Sequence, residues 1–533
     1  MSLCNIHNLF PPMSPWVTAM LQKLRKNPRV LDDWAEQITC KMKKNPDEQQ
    51  FLPCDQIDLL VNKTNVAWAL RAAGLRNTGP LVTFVLQDAK RLFLILVLMS
   101  TKTTEKLSLI AELQDIGLKD AVLPLSFDPV DNDGHGYSRV AGPSAESART
   151  RVDLPTNWER GDRENFRTYQ WRVMAPIFDG STFRFEFHPH TVMPYLGQPA
   201  KRANSGFFGE VSRFEIHSAH IPALVKDHGE QTVSVAVKKA KDPDELQDFF
   251  NKEAENLAQL RNHTLPNLIK PIAAYEKNGD RCLIFPWAAG GTLSDYWETK
   301  NTPSNLLQQP SLKWILSQFT GICCALKELH TINCRHGDLK PDNILWFKDD
   351  NDRGTLKIAD LGLAAFHKNL QTIDRRREGI QTKTPSGTRR YEPPETDENR
   401  NTTEPRSRTY DIWSMGCIIL ELLIWLVYGF TTVDSFQIHT EFFWEIRSSP
   451  GPSSRQYVVH HIVQDCIKEL ERVLKNDSAY KALLDLVKDR LLVVLVSDKM
   501  TGSSRARSDA DNLCEMMKDI QSKLDDSGFL QPV

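Results

Sequence analysis

One short stretch, His336-Gly-Asp-Leu-Lys-Pro-Asp-Asn-Ile-Leu345, collects three side chains that can do chemistry together. Asp338 can accept a proton, and Lys340 can stabilise negative charge two positions later. Asn343 can offer an amide oxygen to a hard cation. Soon afterwards, Ile358-Ala-Asp-Leu-Gly362 presents a second acid, Asp360, before a glycine that frees the backbone. The spacing predicts a proton acceptor placed beside a bound cation.

Two upstream segments add groups that could bind phosphate. In Asn204-Ser-Gly-Phe-Phe-Gly-Glu-Val211, Gly206 and Gly209 let a hairpin backbone approach phosphate oxygens closely. Taken alone, this segment is more typical of a glycine hairpin that binds nothing. Lys238 ends a strand of alternating apolar residues, and Glu253 follows in a helical pattern. Each charge singly suits a solvated surface, but the order of the segments favours a phosphate-binding lysine held by a carboxylate.

Further along, Gly387-Thr-Arg-Arg-Tyr-Glu-Pro-Pro-Glu395 precedes Asp411-Ile-Trp-Ser-Met-Gly416. In this order the motifs resemble those of a eukaryotic protein kinase, and the resemblance covers residues 198–520. It implies an α+β, two-lobed protein kinase fold with a β-rich small lobe and a helical large lobe. It also implies ATP and Mg²⁺ as cofactors, and transfer of the γ-phosphoryl group to a hydroxyl of a protein substrate.

The resemblance assigns a role to individual residues. Asp338 would accept the hydroxyl proton, Lys340 would stabilise the transferring phosphoryl group, and Asn343 and Asp360 would hold Mg²⁺. The ATP-binding positions would be Gly206, Gly209, Val211, Ala236, Lys238, Glu253, Phe285, Trp287, Ala288 and Leu345. The structural and docking positions would be His336, Leu361, Gly362, Thr388, Glu395, Asp411 and Arg507.

Departures from the family pattern carry information about regulation. Lys340 and Thr388 match serine/threonine kinases. Gly337 stands where most kinases carry an arginine before the catalytic aspartate, so the chain resembles a non-RD kinase. Pro393 replaces the alanine of the Ala-Pro-Glu motif, and Glu395 is expected to pair with Arg507, with Arg505 as a competitor.

Composition limits the class of protein. The chain has 533 residues, of which 41% are hydrophobic and 25% charged, which is typical of a folded, core-forming protein. A net charge of −2 predicts no general attraction to nucleic acid or anionic membranes. The ten cysteines are scattered without a Cys-x-x-Cys pair, which predicts reduced thiols and a soluble cytoplasmic or nuclear location. The apolar run 417–430 contains Glu421, so we expect a buried helix and no membrane span.

The remaining chain divides into zones by composition. Residues 14–125 are predicted to form a helical N-terminal region, similar to that ahead of kinase domains in filamentous-fungal proteins, where a regulatory partner could bind. Residues 128–165, rich in glycine, proline, serine and charge, are predicted to form a mobile linker. The alternating phenylalanines of 183–187 predict a strand, so residues 166–197 would extend the small lobe before the kinase domain at 198–520.

Two other functions compete with an active protein kinase. A pseudokinase-like scaffold would bind ATP with weak or no transfer, but Lys238, Asp338 and Asp360 are all retained. A small-molecule kinase would not need the peptide-docking segment 387–395.

Overall fold

The computed structural model describes residues 30–99, 103–126, 135–139, 149–153, 158, 160–205, 209–225, 229–240, 247–261, 263, 265–301, 309–351, 353–361, 365–366, 389–398, 408–448, 455–494 and 507–531. The chain divides into two compact units. The first comprises Met1–Gly206, Glu210–Lys239 and Ile272–Ile284. The second comprises Phe207–Gly209, Ala240–Pro271 and Phe285–Val533.

The described residues contain both helices and strands, as expected for an α+β protein. The helices are α1 Val30–Lys41, α2 Cys54–Leu60, α3 Lys63–Ala72, α4 Gly79–Asp88, α5 Lys90–Leu98, α6 Thr103–Ser108, α7 Ile110–Asp115, α8 Arg160–Tyr169, α9 Gln247–Leu260, α10 Leu293–Lys300, α11 Gln309–Thr331, α12 Glu395–Glu398, α13 Thr409–Tyr428, α14 Phe430–His439, α15 His461–Val473, α16 Ala479–Leu486 and α17 Ala510–Ser522. The strands are β1 Lys43–Lys44, β2 Gln50–Phe51, β3 Leu125–Ser126, β4 His135–Arg139, β5 Arg149–Asp153, β6 Arg184–Glu186, β7 Tyr195–Ser205, β8 Gly209–His217, β9 Thr232–Ala240, β10 Ala273–Lys277, β11 Asp280–Pro286, β12 Cys334–Arg335, β13 Ile344–Phe347, β14 Thr355–Ile358, β15 Ala365–Phe366, β16 Trp444–Ser448 and β17 Arg455–Val459.

Seven helices, α1 to α7, form the amino-terminal part of the first unit. They share one apolar core, in which Trp34 packs edge-on against Trp68 and near Phe93. α5 is buried on all sides, which explains its continuous apolar sequence. α8 also joins this core, because Phe166 is fully buried within it. The helical N-terminal region predicted from the sequence is therefore present among the described residues, and α8 extends it.

A six-stranded sheet forms the other part of the first unit, with strand order β6-β10-β11-β9-β8-β7. β10 and β11 are antiparallel neighbours joined by a two-residue turn, whereas β6 pairs with β10 in parallel. One face of the sheet is covered by apolar side chains that include Tyr195, Ile216 and Val235. The strand predicted around Phe183–Phe187 is β6, and it supplies an edge of this sheet.

The helical part and the sheet of the first unit are in direct contact. Phe51, Trp171, Ala175 and Val192 form a small buried cluster between them. Nε2 of Gln198, on β7, donates to the carbonyl of Pro46 at 2.9 Å. The two parts are therefore linked by buried apolar contacts and by a hydrogen bond.

The range 128–165, predicted from its composition to be a mobile linker, contains regular elements. β4 and β5 pair with each other in antiparallel fashion, and β4 also pairs with β3. α8 begins at Arg160, inside the same range. Backbone pairing between neighbouring strands does not need apolar side chains, so a polar composition conceals it.

Long buried helices organise the second unit. α13 runs for 20 residues, and it is the one helix of the described ranges that is long and apolar enough to cross a membrane. Of its most apolar window, 94% is buried inside the protein, which is the pattern of a core helix. Glu421, in the middle of α13, is fully buried, as the sequence led us to expect for this run.

One expectation about the cysteines is wrong. The scatter of cysteines predicted reduced thiols throughout, but Cys324 on α11 and Cys514 on α17 are joined as a disulfide. The two residues are 190 positions apart in the sequence, so no local spacing pattern could reveal the pair. Its neighbour Cys323 is a free, fully buried thiol, and burial raises its pKa to about 12.

Candidate active site

The loop after β12 brings together the two predicted catalytic side chains, Asp338 and Lys340, and the predicted metal ligand Asn343. Lys340 Nζ lies 3.4 Å from Asp338 Oδ2. Asn343 Nδ2 donates to the backbone carbonyl of Asp338 at 2.7 Å and lies 3.2 Å from its Oδ2. The carboxylate, the ammonium and the amide therefore converge within one turn, with Asp338 and Lys340 still accessible to solvent.

A single buried carboxylate holds the backbone of this loop. Asp411, fully buried at the start of α13, accepts hydrogen bonds from the N–H groups of His336 at 2.9 Å and Gly337 at 2.8 Å. It also lies 2.8 Å from His330 Nε2. Burial alone would raise the pKa of Asp411, but the hydrogen bond and charge of His330 outweigh it and hold that pKa below its usual value. Asp411 thus stays an acceptor that fixes the loop.

Asp360 is tied to the same loop through its neighbour Ala359. The N–H of Ala359 donates to the carbonyl of Asn343 at 2.8 Å, and its carbonyl lies 2.9 Å from His336 Nε2. Asp360 itself has φ +62°, a left-handed conformation that costs a non-glycine residue about 1–2 kcal/mol. Strain of this kind is found where surrounding contacts dictate a side-chain direction.

The donor set at this point suits Mg²⁺, a hard cation that prefers carboxylate and amide oxygens. Asn343 uses its Nδ2 as a donor within the loop, so its Oδ1 is left as an acceptor. Asp360 supplies the carboxylate from the end of β14. These two residues would hold the ion.

The predicted ATP-binding positions are divided between the two units. Val211, Ala236 and Lys238 lie on the neighbouring strands β8 and β9 of the first unit, each partly buried. Glu253 lies on α9 of the second unit and is only 5% exposed. The ion pair between Lys238 and Glu253 remains a prediction. Gly209 begins β8, whereas Gly206, Gly362 and Thr388 lie outside the described residues.

One continuous segment of the second unit carries three predicted ATP-binding residues, Phe285, Trp287 and Ala288. Phe285, at the end of β11, is 7% exposed, and Ala288 is 9% exposed. Trp287 between them is partly buried. Leu345 lies on β13, where it bridges to Thr292, the residue that caps α10.

The docking segment after residue 388 is anchored by two arginines, one buried and one partly buried. Arg507 makes a bidentate contact with Glu395, with Nη1–Oε1 and Nη2–Oε2 distances of 2.6 and 3.1 Å. Its side chain is fully buried and stacks over the Trp413 ring. Arg507 is therefore the arginine that pairs with Glu395, and Arg505 lies outside the described residues.

Sequence reasoning missed the second anchor, Arg390. Its Nε and Nη2 lie 3.1 and 2.9 Å from Oε1 of Glu421, while Tyr391 donates to Oε2 at 3.0 Å. Burial raises the pKa of Glu421, and the charge of Arg390 opposes that rise. A lone acid within an apolar run was the one available signal, since a buried carboxylate requires a partner. His330, which contacts Asp411, was missed as well and had no such signal.

Comparison with known proteins agrees with this geometry. Residues 221–480, slightly less than half of the chain, match the family model described as "Protein kinase domain". The chain is 30% identical over 214 residues to a probable myosin light chain kinase of Dictyostelium discoideum, covering 40% of this chain and 38% of the relative. It is 32% identical over 166 residues to serine/threonine-protein kinase Nek1 of Mus musculus, covering 31% and 12% of the two chains.

A third relative, serine/threonine-protein kinase nekl-2 of Caenorhabditis elegans, is 33% identical over 171 residues, which cover 32% of this chain and 43% of the relative. The chain thus spans less than half the length of these relatives. The matched region begins later and ends earlier than the 198–520 predicted from the motifs, but it contains the loop of Asp338, the strand pair leading to Asp360 and the docking segment. Residues 221–480 form a eukaryotic protein kinase domain.

Proposed function

We propose that the protein is an ATP- and Mg²⁺-dependent serine/threonine protein kinase. The observation that carries this proposal is the convergence of Asp338, Lys340 and Asn343 in one loop, with the backbone before Asp360 bonded to the same loop. Loss of any of these groups would be expected in a scaffold that no longer transfers phosphate. The names of the relatives support serine and threonine as acceptors.

Each residue has a distinct part in the proposed reaction. Asp338 orients the substrate hydroxyl and accepts its proton, while Lys340, 3.4 Å away, stabilises the charge on the transferring phosphoryl group. Asn343 and Asp360 hold Mg²⁺, which neutralises phosphate charge when it is bound. Lys238 contacts the phosphates of ATP from the sheet. Because the transition state is loose and rich in charge, positioning and electrostatic stabilisation supply most of the catalysis.

The experiment compares matched carboxylate variants of the full-length protein with Mg²⁺, labelled ATP and generic protein substrates. Asp338→Asn and Asp360→Asn are nearly isosteric, so each should lose at least a hundredfold in rate while keeping a cooperative unfolding transition. Lys238→Ala should lose most activity too. Asp350→Asn, in an exposed turn after β13, is the control and should keep wild-type activity.

Phosphopeptide mapping of the products identifies the residue type that accepts the phosphoryl group. Phosphoserine and phosphothreonine are expected. ATP binding without transfer to any protein would support a pseudokinase-like scaffold. Transfer only to small molecules would support a small-molecule kinase. Equal activity of Asp360→Asn and the wild type would show that the metal site is wrongly assigned.

We also propose that activity depends little on phosphorylation of the activation segment. Gly337 offers no side chain before Asp338, so the usual guanidinium partner for a phosphate is missing at that position. Residues 374–378 include three arginines that could replace it, and they lie outside the described residues.

The N-terminal helical region is proposed to receive a regulatory partner, because it contacts the sheet that carries Lys238 within one compact unit. We also propose that the phosphoryl acceptor is a protein and that the protein acts in the cytoplasm or the nucleus.

A further inference from the structure

Three metal-binding side chains meet far along the chain from the catalytic loop. Glu445 lies on β16, His460 directly follows β17, and His461 is the first residue of α15. β16 and β17 are antiparallel, with Trp444 opposite Val459, and the N–H of His460 donates to the carbonyl of Phe443 at 2.9 Å. This pairing brings the end of β17 back to the start of β16, so both histidines lie beside Glu445.

The donor atoms lie near the spacing that a small transition-metal ion requires, although a hydrogen bond holds one pair closer together than two ligands of a bound ion would be. Oε2 of Glu445 lies 2.7 Å from Nδ1 of His461 and 3.9 Å from Nε2 of His460, and one donor atom of each residue lies within 4.8 Å of the others. Three atoms at these separations surround a point about 2.4 Å or less from each of them, close to the roughly 2.0–2.2 Å of zinc–ligand bonds. Only small side-chain shifts would complete the coordination.

The surroundings direct one carboxylate oxygen of Glu445 towards the histidines and leave space beside the cluster. The other carboxylate oxygen, Oε1, lies 3.3 Å from Arg447 Nε, so Oε2 is the oxygen that faces the histidines. A cavity of about 460 Å³, lined by Glu441, Glu445 and His460 among others, adjoins the cluster and leaves room for a fourth ligand.

Two local contacts oppose binding and set its strength. The hydrogen bond from Nδ1 of His461 to Oε2 of Glu445 must open. Nδ1 of His460 accepts a hydrogen bond from the N–H of Ile462, which caps α15. Coordination through Nε2 moves the ring proton to Nδ1 and removes this cap, which weakens binding. The histidine and carboxylate ligands still match the preference of zinc, so binding in the micromolar range is expected rather than the tighter binding of a closed structural site.

We propose that Glu445, His460 and His461 form a Zn²⁺ site that joins the β16–β17 hairpin to the start of α15. The hairpin contacts the docking segment of the kinase domain, because Trp444 Nε1 donates to the carbonyl of Glu392 at 3.0 Å and Tyr457 donates to Asp397 at 3.2 Å. Zinc at this site would therefore stiffen the support beneath that segment. The site does not depend on the proposed kinase activity.

The test is isothermal titration of metal-free, full-length protein with Zn²⁺ in excess Mg²⁺, which keeps the hard-cation site at Asp360 occupied. The wild type should bind zinc at this site in the micromolar range. His461→Ala should weaken that binding at least tenfold. His439→Ala, which removes an exposed histidine of α14 outside the cluster, should change it less than twofold.

Two further variants separate ligand loss from unfolding. His460→Asn keeps a side-chain acceptor for the cap of α15 but removes the imidazole, and Glu445→Gln is nearly isosteric. Both should weaken zinc binding at least tenfold with an unchanged unfolding transition, and both should erase the absorption of tetrahedral Co²⁺ bound in place of zinc. Wild-type protein that binds no zinc, or variants that all bind it as the wild type does, would overturn the assignment.

Discussion

A neutral histidine joins the helical part of the first unit to its sheet, and acid should weaken that junction. His220 is 1% exposed. Its Nε2 accepts a hydrogen bond from the N–H of Cys54, the first residue of α2, at 3.1 Å, and its Nδ1 lies 2.8 Å from the carbonyl of Pro176. These partners require the tautomer with the proton on Nδ1. A second proton would point from Nε2 at the N–H of Cys54, where two donors would then face each other.

The size of this loss of stability follows from the pKa of His220. Burial, the largest influence, lowers the pKa of His220 from 6.5 to about 4; His217 and Arg91 lower it further, while the Pro176 carbonyl and Asp55 oppose the change. A base with a lowered pKa stabilises the fold fully above the unfolded pKa, and that stability is lost as the pH falls from 6.5 towards 4. Between pH 7 and pH 5 the loss is about 2 kcal/mol.

Urea unfolding at pH 7 and pH 5, combined with hydrogen exchange of the α2 amides corrected for intrinsic rates, measures this loss. The wild type should lose about 2 kcal/mol of protection in α2. His220→Gln, which is neutral at both pH values, should start less stable and show a much smaller change. His439→Gln, at an exposed position, should behave as the wild type. An unchanged wild-type protection at pH 5, or an equal loss in His220→Gln, would refute the reasoning.

Other perturbations test the ion pair of Arg390 with Glu421, the activation segment and the predicted linker. Arg390→Met leaves Glu421 buried without its partner and should lower the free energy of unfolding by about 3–5 kcal/mol, whereas adding Glu421→Gln should restore most of it; equal losses in urea would contradict the pairing. Steady-state kinetics should find kcat/KM within a few-fold of wild type, about 1 kcal/mol in barrier, after alanine replaces Thr382, Thr384 and Ser386. A hundredfold loss there would mean that other basic groups anchor the segment. Limited proteolysis should cut within 128–165 before 200–345, and the reverse order would argue against that boundary.

Local spacing made the catalytic loop predictable. Asp338, Lys340 and Asn343 lie within six consecutive positions, so any fold that forms this turn must bring them close. The β6 strand was predictable for a similar reason, because its alternating phenylalanines have the period of a strand. Local spacing could not predict the pairing of Arg507 with Glu395, because the two residues are distant in sequence. The family resemblance supplied that prediction.

Local sequence patterns could not predict the contacts between distant segments. The Cys324–Cys514 pair and the contact of His330 with Asp411 depend on how helices pack, which no spacing rule encodes. The strands β4 and β5 were concealed by polar composition, because hydrogen bonds between backbones hold them together. The contact of the helical region with the sheet depends on residues such as Phe51 and Trp171, which look like ordinary core residues in the sequence.

The backbone at Gly337 restricts how this loop can change by mutation. Gly337 has φ +84°, a conformation that glycine adopts freely and that costs other residues about 1–2 kcal/mol, and its N–H is already bonded to Asp411. A single codon change to arginine would therefore strain the backbone, and nothing would offset that strain while no phosphate is bound to the arginine. A protein with arginine at this position, as in most kinases, would therefore be less stable, which favours retention of the glycine.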